Sequence, residues 1–241
     1  MGSHCFECRK AAAPSTTERL RTAAAMGKPY VTYWLIGINV VMFLAAAPRS
    51  PTQIDLATNA IAIDLHGEWY RVVTGAFLHG SVMHLAFNML VLFQLGSLLE
   101  RSIGLGRFAG LYAVALFGGS VGALLFADAR VITVGASGAI YGLMGAMAVL
   151  GRRRGIDVWR SGIGSMIVIN IVISLVVPNI SIGGHLGGLV TGALAVLVLD
   201  PGSRVGEKKL PAPVVVAFVA ASCLVLFVGS LWVADFAVGR L

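Results

Sequence analysis

The chain has 241 residues, 57% of them hydrophobic and only 12% charged, against roughly 25% charged residues in soluble domains. This excludes a water-soluble globular fold and predicts an all-α polytopic membrane protein. The net charge of +7 is compatible with nucleic acid, but the basic residues sit in short segments between apolar runs, where the positive-inside rule puts them. The lipid bilayer is therefore the expected partner, and nucleic acid is not.

Residues 1–30 are polar and basic. They read as a cytoplasmic N-terminal segment with no cleavable signal peptide, and their Ala/Ser/Thr/Arg content predicts disorder. Cys5-x2-Cys8, with His4 beside it, is half of a zinc knuckle. A four-coordinate site needs more ligands, and with Cys223 the three cysteines make no disulfide framework. Seven apolar stretches then follow, at 32–47, 82–99, 106–127, 137–151, 161–178, 182–199 and 213–234, each judged against the roughly 20 residues that cross a bilayer core. The fourth and fifth are short, and Arg152-Arg153-Arg154 ends the fourth sharply. This gives an N-terminal segment (1–30), a core of six spans (31–200), and a linker with a seventh span (201–241). No tandem repeat or low-complexity tract stands out.

Lysines and arginines orient the spans. Arg9, Lys10, Arg19, Arg21 and Lys28, then Arg101 and Arg107, then Arg152, Arg153, Arg154 and Arg160, and finally Arg204, Lys208 and Lys209 all fall on one side. That side is assigned to the cytoplasm, with the N-terminus inside and the C-terminus outside. The opposite loops hold Arg49, Arg71 and Arg130 among Asp55, Asp64, Glu68 and Asp128. Residues 48–81 form the longest outer segment, where Trp69 and Tyr70 suit the membrane interface. A structured loop half-sunk in the outer leaflet is expected there.

In this frame three polar clusters share the outer half of the membrane. Ser137 opens the fourth span within Gly135-Ala136-Ser137-Gly138, His185 lies in the first turn of the sixth, and His84 and Asn88 lie in the first two turns of the second. Polar groups in a bilayer are costly and face a partner or a water-filled cavity. A serine beside a histidine supplies the minimum for acyl transfer, because the hydroxyl needs a base to become a nucleophile. A packing serine at a small-residue interface is the competing reading. Gly188 and Gly192 after His185, with Gly138, Gly142 and Gly145 in span four, let the two helices approach closely. Tyr141 lies one turn below Ser137 on the same face, placed to support the imidazole. No carboxylate is placed as a third member, so a Ser–His dyad is expected. His84 and Asn88, at i and i+4, offer donors for an oxyanion, and the Ser137 amide offers another. Metal binding and plain helix–helix hydrogen bonding are the rival readings of His79-x4-His84-x3-Asn88. With no carboxylate or thiolate nearby as a third strong ligand, no metal and no cofactor are expected.

Taken together, these residues resemble the rhomboid family of intramembrane serine proteases. The matching motifs are Gly135-Ala136-Ser137-Gly138, His185 with Gly188 and Gly192, and His79/His84/Asn88. Tyr70-Arg71 stands where the family commonly has Trp-Arg. The resemblance runs from about Thr32 to Asp200, and the seventh span makes the chain similar to the six-plus-one bacterial form, some members of which carry a cysteine-rich N-terminal element that is truncated here. It implies a rhomboid-like six-helix bundle with an extra C-terminal helix, set in a bacterial plasma membrane. It also implies Ser137 as nucleophile, His185 as base and then acid, and an oxyanion hole of His84, Asn88 and the Ser137 amide. Tyr141 would stack on His185, and the substrates would be transmembrane proteins cut near the outer face. A non-catalytic client-binding member of the fold is the alternative. A transporter would favour paired inverted repeats of broken helices, which the sequence lacks.

Overall fold

The computed structural model describes residues 27–177, 180–200 and 210–241. The expectations for Cys5, Cys8, the first 26 residues and the basic linker at 201–209 lie outside the described residues. Among the described residues ten α-helices follow in order: α1 Tyr30–Ala45, α2 Pro51–Leu56, α3 Ala60–Leu65, α4 Arg71–Thr74, α5 Val82–Ile103, α6 Leu105–Phe126, α7 Ser137–Arg153, α8 Ile163–Val176, α9 Ile182–Leu199 and α10 Ala212–Val238. A 3-10 turn, Gly75–Phe77, joins α4 to the approach to α5. The described residues form no β-strand, only an isolated antiparallel bridge between Thr58 and Thr133.

Each of the seven predicted spans is a helix. By length and composition α5, α6, α9 and α10 are able to cross a membrane, while α1 and α8 are shorter apolar helices. This is an integral membrane protein. Local chemistry sets where the helices begin. Ser81 and Ser181 cap α5 and α9, their hydroxyls accepting from the amides of His84 (3.1 Å) and Gly184 (3.2 Å), which satisfies amides that a helix leaves free at its start. α1 has no capping side chain of its own. Glu100 of α5 supplies it, accepting from the amides of Val31 (2.9 Å) and Thr32 (2.8 Å) and from the Thr32 hydroxyl (2.8 Å). The positive end of the α1 dipole favours that carboxylate. This engagement carries α5 a turn past the predicted boundary at residue 99, until Gly104 (φ +91°) ends it.

At the centre of the bundle α9 packs on α6 and on α7, the two most extensive helix pairings among the described residues, and α6 also meets α7. Glycines make this possible. A Cβ at Gly188 would fall on the carbonyl of Gly138, and one at Gly192 on the carbonyl of Gly142. On the other side of α9, a Cβ at Gly187 would meet the Gly118 carbonyl and one at Gly183 the Gly122 carbonyl. The sequence pointed to the seam between the fourth and sixth spans, and the structure adds α6 as its third wall. Around this centre, α10 packs against α6 and α3. Peripheral α8 buries only Gly164 and Ser174.

Candidate active site

The segment between α1 and α5 folds as a hydrogen-bonded unit, and its task is visible in its partners. Buried Arg71 donates to the carbonyls of Ile54 and Ala57 and pairs with Glu68, while Thr58 donates to the Arg71 carbonyl (2.9 Å). Arg71 thereby fixes the stretch that carries Thr58. Thr58 and Thr133 exchange backbone hydrogen bonds of 3.1 and 2.9 Å, and the Gly135 amide donates to the Gly75 carbonyl at 3.0 Å. The outer loop thus pins the turn that delivers Ser137. Gly135 adopts φ +134°, a conformation open to glycine and strained for other residues. Its missing side chain also makes room, since a Cβ there would lie 3.0 Å from His84 Nε2 and 3.6 Å from Ser137 Oγ.

Ser137 is the first residue of α7, so its amide has no acceptor within the helix and sits at the positive end of the helix dipole. Its half-buried hydroxyl lies 2.7 Å from His185 Nε2. The glycine seam between α7 and α9 brings this about, letting two residues 48 positions apart share a hydrogen bond. Tyr141, one turn into α7, lies flat on the imidazole, with ring centroids 3.9 Å apart and planes within 14°. The other imidazole nitrogen, Nδ1, is 2.8 Å from the hydroxyl of Ser174 on α8. A hydroxyl therefore occupies the place that a carboxylate has in a Ser–His–Asp site.

His84 brings its ring to the Gly135 turn, beside Ser137. Asn88 follows one turn later and donates one amide hydrogen to the His84 carbonyl (2.8 Å), leaving the second free. His79 stacks edgewise on His84, with centroids 5.0 Å apart. It is fully buried, and its ring reaches toward the Phe77 backbone without a hydrogen bond of normal geometry. Burial first, and the neighbouring His84 second, push its pKa down to about 3, so it remains neutral. Its carbonyl accepts from Gln53 Nε2 at 2.9 Å, tying this corner back to α2. Among the described residues no three His, Cys, Asp or Glu side chains converge as metal ligands.

The structure thus gathers Ser137, His185, Tyr141, His84 and His79 around one turn, with Gly135 at its centre. Gly138, Gly188 and Gly192 form the seam behind, Asn88 lies a turn below His84, and Arg71 stands away from the site as a brace for the outer loop. The sequence reading did not single out Ser174. Its signal was Asn170-x3-Ser174, two polar residues one turn apart in an otherwise apolar run.

Comparison with known proteins bears on this arrangement. The family model described as Rhomboid domain matches residues 66–202. Rhomboid protease GluP of Bacillus subtilis is 33% identical over 213 residues, covering 83% of this chain and 42% of that protein. Putative rhomboid protease YdcA of the same organism is 36% identical over 171 residues, covering 69% of this chain and 86% of that protein. RHOMBOID-like protein 6, mitochondrial, of Arabidopsis thaliana is 33% identical over 179 residues, covering 66% of this chain and 57% of that protein. The chain spans about half the length of the first and third of these relatives. The family match covers more than half of the sequence, including Ser137, His185, His84 and Asn88, and with these relatives it shows that the chain belongs to the rhomboid family.

Proposed function

We propose that the chain is an intramembrane serine endopeptidase that hydrolyses peptide bonds in or near transmembrane segments of single-pass membrane proteins. The observation that carries this reading is the 2.7 Å contact between Ser137 Oγ and His185 Nε2, in a family whose Bacillus relatives are named as proteases. His185 Nε2 takes the Ser137 proton as Oγ bonds to the scissile carbonyl carbon. The carbonyl oxygen becomes an oxyanion, facing the Ser137 amide, the His84 ring and the free amide hydrogen of Asn88; one such donor is worth about 10²–10³ in rate. Collapse breaks the C–N bond, and the His185 proton goes to the departing amine. Water, deprotonated by the same nitrogen, then hydrolyses the acyl-enzyme and restores Ser137.

A helical substrate has its carbonyls engaged, so cleavable segments carry helix breakers such as Gly or Pro. In the orientation set by the basic loops, the N-terminus is cytoplasmic, the C-terminus is extracytoplasmic, and cleavage falls near the outer face of a bacterial plasma membrane. The test is labelling of the purified protein in detergent by a fluorophosphonate probe, comparing wild type with Ser137→Ala and His185→Ala. Labelling should require both residues. A folded wild type left unlabelled by this probe and by a second class of serine-reactive inhibitor would overturn the proposal, in favour of a non-catalytic client-binding role.

A further inference from the structure

We infer that Ser174 is a positioning residue that selects the catalytic tautomer of His185. The inference rests on the reading of Ser137 and His185 as nucleophile and base. For Nε2 to accept the Ser137 proton, the neutral ring must carry its hydrogen on Nδ1, because only one nitrogen of a neutral imidazole is protonated. Nδ1–H then donates to Ser174 Oγ across 2.8 Å. The Ser174 hydroxyl donates its own hydrogen to the Asn170 carbonyl at 2.8 Å. The Tyr141 hydroxyl, 2.7 Å away, donates to Ser174 Oγ as well.

A hydroxyl has one hydrogen and two lone pairs, and this arrangement uses all three. In the other tautomer Ser174 would turn its hydrogen to Nδ1 and abandon Asn170, while Nε2–H would face Ser137 and could not act as a base. Tyr141 and Asn170 therefore set the direction of the Ser174 hydroxyl, and the hydroxyl sets the ring. Charge development is served by the same contact. Ser174 lies in the last turn of α8, where the helix dipole presents its negative end, so a neutral side chain backed by that turn faces the imidazolium formed during proton transfer. Donation to Asn170 strengthens Ser174 Oγ as an acceptor. Ser174 is itself buried, at 5% exposure, so water does not compete for the bond.

The experiment uses the full chain in detergent, labelled with ¹⁵N-histidine and treated with the fluorophosphonate probe. The His185 resonances are identified by their loss in His185→Ala. Wild type should show His185 protonated at Nδ1. Ser174→Ala should lose that signature and label on the order of tenfold more slowly, the loss expected for one buried hydrogen bond. Ser174→Thr, which keeps the hydroxyl, should restore both the signature and the rate. A wild-type ring protonated at Nε2 overturns the inference without recourse to any variant. So does a Ser174→Ala protein that keeps Nδ1–H or labels at the wild-type rate. If wild type fails to label at Ser137, it is the catalytic reading that falls, and the nitrogen shifts still decide what Ser174 does.

Discussion

The helices α7 and α8 both touch His185, and they are built on opposite plans. α7 meets α9 through glycines whose absent side chains let backbone lie on backbone, and it buries residues along most of its length. α8 is mostly apolar, leaves Val168, Ile169, Val172 and Ile173 exposed, and buries only Gly164 and Ser174. One helix fixes where the nucleophile and base meet. The other reaches the base through a single hydroxyl. Distance between reacting groups is thus set by packing that cannot adjust, whereas the direction of the ring depends on one contact from a loosely held neighbour.

The contrast can be broken at its rigid end first. Gly188→Leu would drive a side chain into the Gly138 backbone, where no rotamer offers escape. Its cost should exceed the about 1–3 kcal/mol of ordinary overpacking, read as loss of folded protein or a sharp fall in the unfolding midpoint in detergent. Tyr141→Leu tests the junction of the two plans, since it removes the ring stacked on His185 and the hydroxyl held by Ser174. Labelling of Ser137 should fall by about tenfold to a hundredfold while the protein remains folded. At the loose end, Ile169→Ala, at a residue of α8 that is 57% exposed, should change stability by no more than about 0.5 kcal/mol and leave labelling unchanged. A large effect there would mean that α8 is seated by more than Ser174.

The sequence made α7 and α9 legible because their function and their packing are written in the same residues: a serine or histidine flanked by glycines at four-residue spacing. The boundaries of α9 at 182 and 199 coincide with the expectation, and Ser137 opens α7 as expected. α6 was harder. Its Gly118 and Gly122 are spaced alike, but nothing along the chain says which neighbour a small-residue face will meet. Ser174 was hidden for a related reason: a hydroxyl in a mostly apolar helix reads as packing until the ring nitrogen of His185 is placed beside it. Glu100, one residue past the predicted end of its span, was not singled out, and its partners are the amides of a helix 68 positions earlier in the chain. Pairings between distant segments are the part that local pattern does not carry.

The 14 residues of α8 rise about 21 Å, while a bilayer core is about 30 Å thick. A membrane accommodates a span this short by thinning beside it or by letting water reach its ends. Lipid packed against α8 would thin on the flank that holds Ser174. Bilayer thickness would then be a physical input to the site: acyl chains that match α8 would leave it at rest, and longer ones would strain the helix whose hydroxyl faces His185.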